Sequence, residues 1–102
     1  MAFNVQTYAF ELLMFNNKHC IFCNKFLEEV VPEYNISDLP LIIIDEDNKP
    51  EWFIAAYKEK RIKPIRGTPT FIVWNGRKEL VRIIGYAGKE SFYNDLDEVF
   101  KK

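Results

Sequence analysis

His19-Cys20-Ile21-Phe22-Cys23 contains both cysteines of this 102-residue chain. The pair follows an apolar run at residues 12–15 and precedes an amphipathic segment, so the sequence predicts a dithiol where a strand gives way to a helix. Partial positive charge at a helix N-terminus stabilises a thiolate and lowers its pKa. Residues three apart on a helix share a face, so a disulfide between them can close and reopen.

The spacing alone leaves two other interpretations open, a structural disulfide and half of a zinc site. A closed zinc site takes four ligands, whereas the soft ligands of this chain are the two cysteines and His19. We therefore predict no metal site, while a structural and a redox-active disulfide both stay open. In the redox interpretation Cys20 and Cys23 are themselves the redox group, and no cofactor is expected.

Composition predicts a single domain over residues 1–102, with residues 1–9 as a variable lead-in. The chain is 48% hydrophobic and 16% aromatic, which is enough to build one core without disulfide staples. A net charge of −1 gives no basic footprint for nucleic acid. No apolar run approaches the roughly 20 residues that span a bilayer, so we predict no membrane span.

The first residues, Met1-Ala2-Phe3-Asn4, lack the basic and long apolar regions of a signal peptide. We expect either a cytosolic protein or a chain that begins after a removed leader. Two cysteines do not make a disulfide scaffold, so composition leaves the compartment open.

Hydrophobic periodicity predicts four strands and three helices. The strands are expected at residues 11–15, 41–44, 71–74 and 80–84. Helices are expected from Cys20 towards Pro32, after Pro50, and over a final segment with Phe92 and Leu96 on its buried face. The run at 41–44 is apolar throughout, as is typical of an interior strand covered on both faces.

Two aromatic patterns have structural interpretations. Phe22, Phe26 and Val30 recur at helical spacing and predict a buried stripe on the first helix. Trp52 and Phe53, with neighbouring apolar residues, predict core packing of the second helix. The element order is β-α-β-α-β-β-α, an α/β fold in which a central mixed sheet is flanked by helices on both faces.

A dithiol after the first strand of this order resembles the thioredoxin fold. The more specific match is Arg66-Gly67-Thr68-Pro69-Thr70-Phe71 with Ile83-Ile84-Gly85, which is similar to the thioredoxin segment that holds a cis-proline and a hairpin. The resemblance covers residues 10–102. It implies that the bond before Pro69 is cis and that this proline lies against the dithiol.

The chain departs from ordinary thioredoxins in several positions. Met14 and Leu41 stand where that family has a buried aspartate and its accompanying lysine, and Pro32 comes later than the usual helix proline. Among family members the chain is similar to SoxS-type periplasmic proteins associated with bacterial sulfur oxidation. The likeness rests on a long first helix, the Arg66–Phe71 segment and the loop at 85–88. It implies a periplasmic location, with the cytoplasm as the alternative.

The resemblance implies a protein thiol–disulfide oxidoreductase. Cys20, nearer the helix start and more exposed, is expected to attack a substrate disulfide, and Cys23 is expected to resolve the mixed disulfide. The expected partners are a protein disulfide and an upstream thiol electron donor, and the chain is expected to be a monomer. His19 could lower the Cys20 pKa as a cation, or be an exposed loop residue without a catalytic share.

The resemblance also implies which residues line the substrate groove. It is expected to comprise Gly67, Thr68, Pro69, Gly85 and Tyr86. Ile21 and Phe22 form an apolar docking patch if they are exposed and belong to the core if they are buried, and exposure is favoured for Ile21.

Several functions are compatible with this sequence. A reductase of a partner disulfide is the leading hypothesis, and an oxidase or isomerase is its first rival. A glutaredoxin-like enzyme is disfavoured, because the chain lacks the Gly-Gly that glutaredoxins carry before the last helix. A module that binds a partner or an iron–sulfur cluster without turnover is the alternative from another class.

Overall fold

The computed structural model describes residues 9–101. Residues 1–8 of the lead-in predicted at 1–9 lie outside the described residues. The elements are β1 (Glu11–Asn16), α1 (Ile21–Glu29), β2 (Leu41–Asp45), α2 (Glu51–Lys58), β3 (Thr70–Trp74), β4 (Glu79–Ile84) and α3 (Lys89–Phe100). The predicted element order is confirmed.

The four strands form one mixed sheet in the order β2-β1-β3-β4. β1 is parallel to β2 and antiparallel to β3, and β3 and β4 form an antiparallel hairpin. Phe15 near the end of β1 is therefore opposite Thr70 at the start of β3. This register brings the segment after β1, which holds the cysteines, to the same sheet edge as the segment before β3, which holds Pro69.

Helices cover both faces of the sheet, as predicted. Side chains alternate along β1 because successive residues of a strand point to opposite faces. Leu12 and Met14 join a cluster with residues of α1 and α3, whereas Leu13 and Phe15 join a cluster with residues of α2. The sheet thus separates two apolar cores, and the cysteines belong to the first.

The prediction that residues 41–44 form an interior strand is wrong for the described part of the chain. β2 lies at an edge of the described sheet, and only Ile44 within it is fully buried. Ile43 is 38% exposed. The unbroken apolar run therefore predicted a strand correctly. It did not predict the position of that strand in the sheet, which depends on pairing with β1.

The long first helix implied by the resemblance is also corrected. α1 ends at Glu29, and residues 31–33 form a turn in which the Glu33 N–H donates to the Val30 carbonyl. Pro32 accounts for the early end, because a proline disfavours helical backbone at the preceding residue. Phe22 does not join the buried stripe: Cys23, Phe26 and Val30 are buried instead.

The aromatic stripe of α2 is only partly buried. Phe53 and Ala56 face the core, whereas Trp52 and Tyr57 flank them at about 40% exposure. Trp52 packs against the buried Trp74 at the end of β3, with ring centroids 5.7 Å apart. No helix in residues 9–101 is both long enough and apolar enough to cross a membrane.

Candidate active site

Cys20 is the N-cap of α1. Its backbone is extended, and its sulfur accepts a hydrogen bond of 3.1 Å from the backbone N–H of Cys23. The side chain thereby satisfies one of the amide groups that every helix start leaves without an internal partner. The local sequence therefore places a sulfur where a serine or aspartate oxygen would usually cap a helix.

The surroundings of Cys20 favour its thiolate. Burial by itself would raise the pKa of Cys20. Hydrogen bonds from the Cys23 thiol, the Thr68 hydroxyl and the backbone N–H groups of Cys23 and Phe22 outweigh it, so the pKa of Cys20 lies below its ordinary value. Cys20 is partly exposed, so this sulfur is accessible to an incoming disulfide.

Cys23 has the opposite environment. It is fully buried in the same apolar cluster as Met14 and Phe26. This burial, together with the hydrogen bond to the Cys20 sulfur, raises the pKa of the Cys23 thiol to about 11. The predicted difference in exposure between the two cysteines is confirmed. Both are free thiols here.

The Pro69 segment lies against the dithiol. The Thr68–Pro69 bond is cis, as the resemblance implied. Pro69 is buried and Thr68 partly exposed, and the Thr68 side chain is close enough to the dithiol to help lower the pKa of both cysteines. Within residues 9–101, neither the N–H nor the carbonyl of Thr68 pairs with another backbone group. A free strand-like edge next to Cys20 can pair with an extended peptide.

Two glycines complete this edge. Gly67 is exposed, and its carbonyl accepts a 2.6 Å hydrogen bond from the Thr70 hydroxyl. Gly85 is partly exposed, and its N–H donates to the Pro69 carbonyl at 2.9 Å. Gly85 has φ +86°, a left-handed backbone conformation that residues other than glycine rarely adopt. The structure thus brings both predicted glycines to the Pro69 segment.

Tyr86 is the one predicted groove residue that the structure places elsewhere. Its side chain is buried, its ring packs against Phe26 with centroids 5.5 Å apart, and its hydroxyl donates to the Glu29 carboxylate. The expectation that this side chain lines the groove is corrected. Because Gly85 redirects the chain, the tyrosine that follows points into the core between α1 and α3.

The apolar pair between the cysteines is exposed, as predicted for Ile21 but not for the helical stripe that was to include Phe22. Ile21 is 69% exposed and Phe22 is 56% exposed. A third exposed apolar residue, which was not predicted, lies near the Pro69 segment. Ile84, at the end of β4 and opposite Thr70, is 73% exposed. Its alternation with the half-buried Ile83 was the available signal, but only the β3–β4 register shows that it lies beside the Pro69 segment.

His19 is an exposed loop residue. Its backbone N–H donates to the Asn17 side-chain oxygen at 2.8 Å, and its imidazole makes no hydrogen bond or ion pair within residues 9–101. Its influence on Cys20 stays a prediction.

A second missed feature is a series of contacts that anchors the cysteine loop. Two asparagine side chains donate hydrogen bonds across this loop, Asn16 to Asp45 at 2.9 Å and Asn17 to Glu46 at 3.0 Å. The next residue, Lys18, forms an ion pair of 3.3 Å with Asp47. The Asn17 carbonyl accepts the Cys20 N–H at 3.1 Å. Two polar runs of matching length were visible in the sequence, but their partnership follows from the parallel register of β1 and β2.

Within the described part of the chain, no group of three or more histidine, cysteine, aspartate or glutamate side chains could hold a metal ion.

Comparison with known proteins agrees with this geometry. A family model described as a thioredoxin-like domain matches residues 7–100. Comparison with curated protein sequences gives no match. Among solved structures, the chain is similar to the reduced periplasmic thioredoxin SoxS from Paracoccus pantotrophus, at 26% identity and a TM-score of 0.70. That match covers 88% of this chain and 94% of the SoxS chain.

Two more distant structures share the fold. A thioredoxin variant from Halobacterium salinarum has 18% identity and a TM-score of 0.63, covering 89% of this chain and 74% of the other. A thioredoxin from Thermus thermophilus has 20% identity and a TM-score of 0.61, covering 88% and 72%. With the family model matching nearly the whole chain and the dithiol, cis-proline and sheet order in place, the chain belongs to the thioredoxin-like domain family.

Proposed function

We propose that this protein is a thiol–disulfide oxidoreductase that acts mainly as a reductase of a partner-protein disulfide. The observation that carries the proposal is the contrast between two thiols one helical turn apart. Cys20 is accessible and its pKa is lowered, whereas Cys23 is buried and its pKa is raised to about 11. One thiol is thus prepared to attack and the other is held back until an intermediate has formed.

In the first step the Cys20 thiolate attacks one sulfur of the substrate disulfide. A mixed disulfide forms, and the second substrate sulfur leaves as a thiolate. The free backbone edge of Thr68 holds the substrate segment in extended form beside Cys20. Ile21 and Phe22 cover the apolar side chains that flank the substrate disulfide.

In the second step Cys23 loses its proton and attacks the Cys20 sulfur. The Cys20–Cys23 disulfide forms, and the remaining substrate sulfur is released as a thiolate. Two electrons pass from the protein to the substrate, so a thiol donor must reduce the protein before another turnover. Met14, fully buried beside Cys23, supplies no carboxylate to accept the proton. The departing substrate thiolate or water takes it instead.

The location and direction of electron flow are part of the proposal. The similarity to a structure described as a periplasmic thioredoxin favours the periplasm for this chain. Reduction potentials in this fold range from about −270 mV for reductants to about −120 mV for oxidants. The hydrogen bonds to Cys20 stabilise the reduced form and by themselves shift the potential towards the oxidising end. The reductase direction is therefore supported by the similarity to structures described as thioredoxins, and the measured potential tests it.

The test combines a potential with an activity. The reduction potential of the Cys20–Cys23 couple is measured by equilibration with glutathione and by the mass shift on alkylation. Insulin reduction is then followed with Cys20→Ser and Cys23→Ser as matched variants. We expect a potential near the reducing end, turnover by the wild type, no turnover by Cys20→Ser, and a trapped mixed disulfide in Cys23→Ser.

Other results would change the assignment. A potential near the oxidising end would make the protein an oxidase or isomerase. Full turnover by Cys20→Ser would remove Cys20 from the nucleophile's role. A brown protein without disulfide reductase activity would indicate an iron–sulfur module.

A further inference from the structure

A basic groove lies along the segment that precedes Pro69. Its volume is about 510 Å³, and its walls include Lys63, Pro64, Arg66, Gly67, Arg82 and Ile84. We propose that this groove binds an acidic segment of the substrate protein next to the disulfide that Cys20 attacks. The inference rests on the proposed function and adds to it the charge of the preferred substrate.

The groove adjoins the segment that lies against the dithiol. Gly67, in its wall, directly precedes Thr68, whose side chain helps to lower the pKa of Cys20. Ile84 is part of the same wall and pairs across the sheet with Thr70. A peptide that pairs with the free backbone edge of Thr68 therefore places its neighbouring residues over the groove.

The charge of the groove comes from two of its three cations. The Arg82 guanidinium is already paired: it binds the Glu79 carboxylate and donates to the carbonyls of Lys63 and Pro64 at 3.0 Å. Arg82 thus forms the floor and holds the segment at 63–64 in place. Lys63 and Arg66 are exposed, and their side chains have no hydrogen bond or ion pair within residues 9–101.

The charge of the groove indicates which kind of peptide segment binds there. Two unpaired cations beside an otherwise apolar wall favour a segment that carries carboxylates and an aliphatic or aromatic side chain. The whole chain has a net charge of −1, so the positive potential is local to this groove. Electrostatic complementarity of this kind increases association rates and discriminates against wrong partners more than it increases affinity. We therefore expect selectivity among substrates, with no effect on the chemical step.

The experiment measures second-order rate constants for reduction of synthetic disulfide peptides by the pre-reduced protein. Three peptides share one disulfide and differ only in two flanking residues, which are acidic, neutral or basic. Exchange is quenched with an alkylating agent and quantified by mass. Bis(2-hydroxyethyl) disulfide, which is uncharged and too small to reach the groove, reports the chemistry alone.

We expect the acidic peptide to react about threefold to tenfold faster than the basic one, since exposed ion pairs contribute only modestly. Added salt should reduce this ratio because it screens exposed charges. In Lys63→Glu/Arg66→Glu the preference should reverse, while the rate with the small disulfide stays within about twofold of wild type.

The matched control is Lys89→Glu/Lys101→Glu. These exposed residues lie at the two ends of α3, which packs with α1 on the other face of the sheet, and Lys89 pairs with Glu33 beyond the end of α1. The control changes the net charge by the same amount and should keep the wild-type preference.

The remaining outcomes distinguish a failure of this inference from a failure of the proposed function. Equal rates for the acidic and basic peptides would overturn the inference and leave the proposed function intact. Loss of the preference in the control variant would also overturn it, because the effect would then follow net charge. Failure to reduce any peptide or the small disulfide would instead overturn the proposed function.

Discussion

The backbone N–H of Cys23 donates a hydrogen bond of 3.1 Å to the Cys20 sulfur. The residue proposed to resolve the intermediate therefore also stabilises the thiolate that creates it. The same contact caps α1, so helix geometry and thiol reactivity are properties of one arrangement.

The first prediction concerns alkylation of Cys20 as a function of pH. In Cys23→Ser, whose hydroxyl still offers a donor, we expect the midpoint of the Cys20 reaction to lie below that of the same protein unfolded in urea. The reason is that hydrogen bonds lower the pKa of Cys20 despite its partial burial. In Cys20→Ser, Cys23 should react only at high pH, in line with its pKa of about 11. A Cys20 midpoint at or above the unfolded reference would contradict the prediction.

The second prediction concerns Thr68. Thr68→Val removes the hydroxyl that helps to lower the pKa of Cys20 and keeps the branched shape before Pro69. We expect the Cys20 pKa to rise, since a side-chain hydrogen bond to a thiolate favours its charged form. Thr68→Ser restores the donor and should give the wild-type alkylation profile. An unchanged profile in Thr68→Val would remove this hydroxyl from the site.

The third prediction concerns Asn17. Asn17→Ala removes the acceptor for the His19 N–H and the donor to the Glu46 carboxylate. We expect a loss of about 1–2 kcal/mol in the free energy of unfolding, measured in urea, because two hydrogen bonds that order the cysteine loop disappear. Lys18→Ala removes only an exposed ion pair and should change this free energy by less than about 0.5 kcal/mol. Equal losses in the two variants would show that the Asn17 hydrogen bonds stabilise the fold no more than the exposed Lys18 ion pair does.

The fourth prediction concerns Met14. Met14→Asp places a carboxyl group in the apolar cluster that contains Cys23. We expect a loss of about 3 kcal/mol or more at neutral pH, because a buried carboxylate is costly. The loss should shrink at acid pH, where the aspartate is protonated in both the folded and unfolded states.

Met14→Asp should also change the resolution step. The new carboxylate can accept the Cys23 proton, so the pH dependence of mixed-disulfide resolution should shift towards lower pH. Met14→Leu is the size-matched control and should cost less than about 1.5 kcal/mol, without a change in that pH dependence. An unaltered pH dependence in Met14→Asp would show that proton transfer from Cys23 does not limit resolution.

The fifth prediction concerns Glu79. Its side chain is 4% exposed and accepts hydrogen bonds from Arg82 and from the Lys63 N–H. Burial would raise the pKa of Glu79, but these bonds outweigh it and lower the pKa. A lowered folded-state pKa stabilises the fold above the unfolded pKa of about 4.3, and this stabilisation is lost as the pH falls through the folded value.

Glu79→Gln should therefore cost about 3 kcal/mol at pH 7, because it leaves Arg82 with a neutral partner. The difference from wild type should become smaller below about pH 4 as the wild-type carboxylate is protonated. Urea unfolding at both pH values measures it. Glu59→Gln, which affects only an exposed pair with Arg61, is the control. A pH-independent difference would contradict the role of the Glu79 charge.

The sequence by itself determined the elements and the chemistry of the dithiol. Apolar periodicity predicted all seven elements, and the spacing of Cys20 and Cys23 predicted one thiol at a helix start and one a turn inside. The segment around Pro69 predicted the cis bond through its resemblance to a known family. These features are local, since each depends on residues close together in the chain.

Only the tertiary structure decided which distant residues share the site and which leave it. Strand register placed Ile84 beside Pro69 and the residues at 45–47 beside Asn17. Packing between α1 and α3 drew Tyr86 into the core, although its sequence position predicted a place in the groove. Pairing put β2 at an edge of the described sheet despite its apolar sequence. The physical reason is that burial and register depend on contacts between segments far apart in the chain, which periodicity within one segment does not encode.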